Sequence, residues 1–534
     1  MLDLAFIARQ VRVATGVIRV RSLVDSPQFF NLFAQRIESM NIVGKSSIAS
    51  LLQRFAELSE TPVDRAAADG RISDALCLAQ ERKWKQKFLR PRLEQHLREQ
   101  ARELYLLVPS TDERTSKQAR FADKKVTSFT RVLHFLNNSE PHTASGYTVR
   151  SQGTLRAQKS TGIQTLAVTR LGYPAVVGRL AHSREERHTG VNYFRLMPRR
   201  FISSPVKIIE ITVEMLSQLA NSFTPNVLHT TTPFRNGLVI ARLAELLKLP
   251  WVYEVRGEPE NTWLARRTAM GQQGAENSEY YRLSRSQETK VMRSATAVVT
   301  LSHVQRQGLI ARGIDPDKVF VIPNAISGSV IDYSTDVGTA EYRARHKRKL
   351  GLPTNVALIG IISSLVDYEG VDDLIRSVVH LTDDVELVIV GDGTSRSSLE
   401  ELAMEQGIES RVHFVGRQPA DDIRDWYSCL DVFVVPRKNV EVCRAVTPIK
   451  PLMAMAVGCP VVASDLQPLR EVTGELGIYV EPENPRMLAE GIRQALALPE
   501  GRTQEALNFV EERTWTRNAE KYAQVYDYCR KYSG

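Results

Sequence analysis

Two spacings of apolar residues divide this chain. Over roughly the first hundred residues the apolar positions recur three and four apart, as in FFNLFAQRIESM and IASLLQRFAELSE, which is the period of an amphipathic helix. The polar stretch 110–125 (STDERTSKQARFADKK) reads as a linker. Beyond it the pattern changes to short, continuous apolar runs separated by helical segments. VLHFL, QTLAVT, NVLHT, WVYEV, AVVTL and KVFVIP form one series, and VALIGII, VELVIVG, RVHFVG, LDVFVVP and CPVVAS form a second. Strands that are apolar on both faces and alternate with helices belong to parallel sheets covered on both sides. The expected architecture is therefore α/β: two facing doubly wound parallel-sheet domains, preceded by an α-helical N-terminal region. The two series meet near IPNAISGS, and TWTRNAEKYAQVYDYCRKY reads as a last amphipathic helix. The expected divisions are 1–108, 126–335, 340–515 and 516–534.

Composition adds limits. The 534 residues exceed what one core can organise. Hydrophobic residues at 43% and charged residues at 25% exclude fibrous and broadly disordered classes. No run reaches the ~18 consecutive apolar residues of a membrane-spanning helix. The opening MLDLAFIARQVRVATGVIRVRSL is broken by Arg9, Arg12, Arg19 and Arg21 and does not read as a signal peptide. Five scattered cysteines without a C-x-x-C pair fit a reduced, cytoplasmic protein. The net charge of +9 favours an anionic partner, while zinc-finger and RNA-recognition patterns that would make nucleic acid specific are missing. Within RKWKQKFLRPRLEQHL, six basic residues (Arg82, Lys83, Lys85, Lys87, Arg90 and Arg92) surround Trp84 and Phe88. Such a helix either lies against the anionic inner face of a membrane as a peripheral contact or docks its two aromatics on the neighbouring domain.

The segment VVPRKNVEVCRAVTPIKPLMAMAVGCPVVASD carries the strongest chemical signal. A strand ends at Pro436, a polar loop follows, and the pattern predicts a helix from about Thr447-Pro448 that stops before Gly458. A helix beginning at a strand's carboxyl edge offers free N–H groups to phosphate, with Arg437, Lys438, Arg444 and Lys450 near enough in sequence to add positive charge. The same residues also suit an ordinary crossover with solvated lysines.

LMAMAVGCPVVASDLQPLREV resembles the E-A-M-A-x-G-x-P-V-V-A-S segment of glycosyltransferase family 4, retaining enzymes of the GT-B fold. Other pieces occur in that family's order: PHTASGYTVRS, VLHTTTPFRNG, VYEVRG, VIPNAI, IISSLVDYEGVDDLI, VIVGDG and VHFVGRQP. The S-L-V-x-Y-E-G and V-T-P-x-K-P-L forms are similar to a subgroup of polysaccharide-assembly enzymes. The resemblance implies a nucleotide-diphosphate sugar as donor, held mostly by the second domain, and a polysaccharide or lipid-linked cell-envelope acceptor on the first. It implies no cofactor and no metal, and the D-x-D at Asp315-Pro316-Asp317 reads as a turn.

Carried over residue by residue, the donor-binding set is Gly146, Ser363, Ser364, Arg437, Thr447, Gly416 and Arg417, and the catalytic set is Lys450, Arg256 and His229. Arg256 has an alternative as an ion-pair partner of Glu254 or Glu258, and His229 one as a packed strand-end histidine. The chain also departs from the family. In G-R-x-x-x-x-K-G the Arg position holds Ser364 and the Lys position Glu369. The two glutamates of E-x7-E become Ala445 and Met453, and H-x-H becomes His229-Thr230-Thr231. These departures set up a second expectation, a catalytically degenerate binding or scaffold subunit that ignores nucleotide sugars.

Overall fold

The computed structural model describes residues 4–21, short stretches between 66 and 105, and 130–531 apart from 420–421 and 499–501. The helical patterns at 29–40 and 48–60, the basic cluster at 82–92 and the polar stretch 110–125 lie outside the described residues.

The first sheet has eight strands: β1 (Arg131–Leu136), β2 (Gln164–Thr169), β3 (Glu185–His188), β4 (Val191–Arg195), β5 (Val227–Thr231), β6 (Trp251–Val255), β7 (Ala297–Thr300) and β8 (Val319–Val321), in the order β3-β4-β2-β1-β5-β6-β7-β8. Every neighbouring pair is parallel except β3–β4. The apolar runs form the interior strands because both their faces are covered: β5, β6 and β7 are buried at every position. The β3–β4 hairpin escapes the sequence pattern. EERH is charged and sits at the sheet's edge, where charge discourages further pairing, and its turn uses Thr189 (φ 41°) and Gly190 (φ 86°).

The second sheet has six parallel strands: β9 (Ala357–Ile362), β10 (Val385–Val390), β11 (Val412–Gly416), β12 (Val432–Val435), β13 (Val461–Ser464) and the short β14 (Ile478–Val480). Their order is β11-β10-β9-β12-β13-β14. Each sheet therefore reverses its direction of growth once, between β1 and β5 and between β9 and β12. Such a switch point opens a crevice at the strands' carboxyl ends.

Two helices tie the molecule together. Leu4–Arg21 lies on the first domain, with Phe6 and Val13 packed among Ala175, Ala181 and Met197. The buried Gln10 amide bonds Ala181 in both directions, at 2.8 and 2.7 Å. At the other end of the chain, Trp515–Lys531 crosses back from the second domain and packs on helix Gly146–Ser160 of the first. Its Tyr522, Val525 and Tyr526 join Val132, Val227 and Val252 in one core. Among the described residues, no helix is long and apolar enough to cross a membrane.

Candidate donor site at the interdomain crevice

The loop leaving β9 and the loop leaving β12 flank the second sheet's switch point. Their fit is set by backbone contact. A Cβ on Gly370 (φ +71°) would stand 1.8 Å from the Pro436 carbonyl oxygen, and one on Gly391 (φ +137°) would stand 1.8 Å from that of Ser363. Only glycine allows these approaches. The Gly391 N–H donates to Gly416 O at 2.9 Å, so the ends of β9, β10 and β11 are held in a row.

Within this frame the structure gathers Ser363, Ser364, Glu369, Arg437, Thr447 and Lys450. Lys450 Nζ donates to Ser363 Oγ at 2.8 Å and lies 3.2 Å from Glu369 Oε1. Arg437 Nη2 donates to the same carboxylate at 2.9 Å and Nη1 to Val446 O at 3.0 Å. Burial pushes the Glu369 carboxyl up, but Arg437 and Lys450 outweigh it and hold the pKa at about 2. Burial lowers the Lys450 pKa, with Glu369 opposing. The Lys450 side chain keeps 27% of its surface open, against 8% for Arg437. Arg437 is thus neutralised by Glu369 and does not face the crevice as a free cation, contrary to the expectation that it holds donor phosphate.

Thr447 is buried, and its Oγ1 has no partner among the described residues, while its carbonyl accepts from Asn324 Nδ2 at 2.8 Å. Ser364 is exposed. A short helix, Glu441–Ala445, stands within the expected polar loop, and the helix expected from about Thr447-Pro448 begins at Lys450 and runs to Met455, with Pro451 in its first turn. Gly416 (φ +77°) and the exposed Arg417 end β11, on the outer side of the crevice, with Arg417 making no hydrogen bond or ion pair to a described residue.

From the first domain, Gly146 opens helix Gly146–Ser160 after β1, capped by Ser145 and Thr148. A Cβ there would meet nothing within 4 Å, so nothing in the chain itself demands glycine. Asp315 caps its own turn, accepting from the Asp317 N–H at 3.0 Å.

The structure overturns the placement of His229 and Arg256 as groups that meet substrate. Both are buried, at 1% and 5% exposure, in a network around Glu254. That carboxylate accepts from Arg150 Nε at 2.6 Å, Arg256 Nη2 at 2.8 Å and the Tyr522 hydroxyl at 2.8 Å, with His229 Nε2 at 3.3 Å. Burial raises the Glu254 pKa, but Arg256 and Arg150 more than offset it and hold the carboxyl well below its usual range. His229 Nδ1 and the Tyr526 hydroxyl share a 2.7 Å hydrogen bond, and burial lowers the histidine's pKa. Arg256 Nη1 also donates to Tyr147 O at 3.0 Å, so it braces the start of the Gly146 helix. The physical reason is the C-terminal helix, whose Tyr522 and Tyr526 pack over the face of the first sheet formed by β1, β5 and β6 and close off both side chains. Sequence reasoning missed Arg150 and Asn324. Arg150 Nη1 and Nη2 donate to Pro323 O (2.8 Å) and Ile322 O (2.7 Å), joining that network to the segment between the domains. The VIPNAI run was the available signal for Asn324; nothing local marked Arg150.

Two family descriptions cover most of this frame. "Glycosyl transferase 4-like domain" matches residues 145–325 and "Glycosyl transferases group 1" matches 343–511. Sucrose-phosphate synthase from Thermosynechococcus elongatus superposes over 74% of this chain and 98% of its own, with TM-score 0.58 at 18% identity. Anabaena HepE in complex with UDP superposes over 74% and 100%, with TM-score 0.57 at 16% identity. The fold is that of the GT-B glycosyltransferases. Curated relatives with this GT-B chain's sequence pattern include an uncharacterised glycosyltransferase of Methanocaldococcus jannaschii, 27% identical over 262 residues (48% of this chain, 63% of the relative). A D-inositol 3-phosphate glycosyltransferase of Corynebacterium diphtheriae is 28% identical over 226 residues (40% and 51%). A putative teichuronic acid biosynthesis glycosyltransferase of Bacillus subtilis is 24% identical over 271 residues (50% and 60%). The match thus spans between about half and 63% of the length of these relatives.

Proposed function

We propose that the protein is a retaining glycosyltransferase, moving a sugar from a nucleotide-diphosphate donor to a hydroxyl of a polysaccharide or lipid-linked cell-envelope acceptor. The observation that carries this reading is Lys450, a partly open cation hydrogen-bonded to Ser363 at the carboxyl end of β9, inside the second domain's switch-point crevice. In the reaction the bond from the anomeric carbon to the leaving phosphate oxygen breaks. A bond to the acceptor oxygen forms on the same face, and the acceptor's proton passes to the departing diphosphate. The protein's contribution is position and positive electrostatics where charge develops. Lys450 supplies the charge, the unpartnered Thr447 hydroxyl and exposed Ser364 supply hydrogen bonds, and Gly146 leaves room for the donor from the facing domain. Gly416 and Arg417 border the nucleoside end. No cofactor takes part in this scheme. The solved neighbour that holds UDP and the relatives that carry transferase names support the donor class.

A second reading has its own observation. Glu369 cancels Arg437, and Met453 stands where the family places a ribose-binding glutamate, which favours a noncatalytic subunit. Calorimetric titration with UDP, GDP and their sugar conjugates separates the two. Micromolar binding of one nucleotide, weakened about tenfold or more by Lys450→Ala, supports the enzyme. A folded protein that binds none of them is a scaffold.

A further inference from the structure

Helix Glu279–Ser294 of the first domain carries a feature the donor site does not use. Tyr281, Arg282, Arg285, Thr289, Lys290 and Arg293 line one groove along it, because spacings of three and four residues bring them to one face. None of the four cations forms an ion pair with a described residue. Among the described residues Arg285 Nη1 donates to the Tyr281 hydroxyl (3.4 Å), and Arg293 donates to the Gly313 and Arg312 carbonyls at 3.3 and 3.2 Å. Arg312 braces the groove from behind. Its charge is taken by Glu260 at 3.1 Å, while its Nη2 donates to Arg285 O (3.0 Å) and Thr289 Oγ1 (3.1 Å). Glu279 at the helix start and Glu258 near Arg285 lie at one end of the row, and the four cations still outnumber these two carboxylates, so the row raises the local potential for anions.

One end of the row leads to the cleft. The Tyr281 hydroxyl donates to Asn261 Oδ1 at 2.8 Å, and Asn261 belongs to helix Pro259–Ala269, which packs against Glu441–Ala445 of the second domain. Independently, the flanks of the 75–97 segment are anchored at the start of this same helix. Ser73 donates to Glu279 through both N–H and hydroxyl at 2.8 Å, and the Tyr105 hydroxyl donates to it at 3.0 Å.

We propose that the groove is an acceptor track for an extended anionic glycan bearing carboxylates or phosphates, with its reacting end toward the cleft. The proposal rests on the glycosyl-transfer reading and narrows its acceptor. From Arg282 to Arg293 the row runs ~16 Å, the length of a short chain segment. Its lining is cationic and polar, with the Tyr281 ring at the cleft end where a sugar face can stack. Insertion into a bilayer instead calls for outward apolar side chains, which the groove lacks.

The test uses the full chain, with polygalacturonate and a poly(glycerol phosphate) as probes, neutral dextran as control, and vesicles of anionic phospholipid in a parallel arm. Arg282→Glu/Lys290→Glu is compared with Arg199→Glu/Arg200→Glu, two exposed arginines beyond β4 on the far side of the sheet. The expected result is binding of at least one anionic polymer, none of dextran, and a tenfold or greater loss confined to the groove variant. Its circular dichroism and UDP affinity should stay as in the parent. The proposal is overturned by no binding to either polymer, by equal loss in both variants, or by a groove variant that leaves vesicles while keeping the polymers. UDP is titrated in the same samples, so polymer binding without UDP binding overturns the donor reading and not the groove.

Discussion

Glu369 and Arg437 form a two-point buried ion pair, Nη2 to Oε1 at 2.9 Å and Nε to Oε2 at 3.4 Å, with Lys450 Nζ 3.2 Å from the same carboxylate. Two cations and one anion leave a single net positive charge beside Ser363, and the more open side chain, Lys450, presents it. An acidic residue in the loop after β9 is therefore compatible with an anion-binding crevice, because the loop after β12 and the helix beyond it return more charge than Glu369 removes.

This triad makes stability depend on acid pH. The Glu369 pKa is about 2 in the folded chain, below its ordinary value of 4.5, so its contribution is present above pH 4.5 and is lost as pH falls toward 2. Glu369→Gln leaves the buried Arg437 uncompensated beside the partly open Lys450 and should cost about 3 kcal/mol near neutrality. Urea unfolding of both proteins should show this gap narrowing as the pH is lowered through that window. A gap that stays constant down to pH 2 would contradict the ion-pair account.

Two glycines should behave oppositely. Gly370→Ala forces a Cβ to 1.8 Å from the Pro436 carbonyl in a left-handed backbone, and the loop must shift, with marked loss of stability. Gly146→Ala meets nothing in the chain and should unfold like the parent while binding nucleotide more weakly. Thermal unfolding and UDP calorimetry on both proteins check this. Normal UDP affinity in Gly146→Ala would remove that position from the donor site.

Glu471 of the second domain caps a helix of the first. Its carboxylate accepts the His303 N–H at 2.7 Å and the Val304 N–H at 3.2 Å, at the positive end of helix His303–Ala311. Replacing it with alanine should cost roughly 1 kcal/mol of closure and speed hydrogen exchange at those two amides. Amides as protected as in the parent would show that other contacts hold the domains together.

A buried carboxyl acts in the opposite direction to Glu369. Burial, then the Glu260 charge, raises the Glu288 pKa, although the carboxylate accepts from the Phe234 N–H and the Tyr253 hydroxyl, each at 2.6 Å. A raised carboxyl favours folding most below its ordinary pKa, and the advantage fades as pH rises through the raised value. Glu288→Gln keeps the shape without the charge. It should be close to neutral near pH 4 and increasingly stabilising toward pH 8, as read by denaturant midpoints. A pH-independent difference would mean that Glu288 does not titrate in this range.

The sheet strands follow from continuous Val/Ile/Leu runs, which report burial on both faces whatever the distant contacts are, whereas the strand order that places the two switch points came from the tertiary structure. β3 and β4 were not legible because an edge hairpin buries one face at most, and its charged positions imitate a loop. β14 was too short to form a run. Lys450 and Ser363 stood out because a strand, a loop and a helix start lie close together along the chain. Their pairing, at 2.8 Å and 87 residues apart, did not.

What the sequence determined by itself is the local alphabet: which runs are strands, where glycine and proline interrupt helices, and that cations cluster after β12. Only the tertiary structure decided which charges remain available. Tyr526 reaches His229 across 297 positions, Tyr522 and Arg150 close over Glu254, and Glu369 takes Arg437 out of the crevice. Apolar periodicity is a property of neighbouring residues. The partner of a buried charge is set by whichever distant element packs over it, and a charge without a partner is too costly to bury.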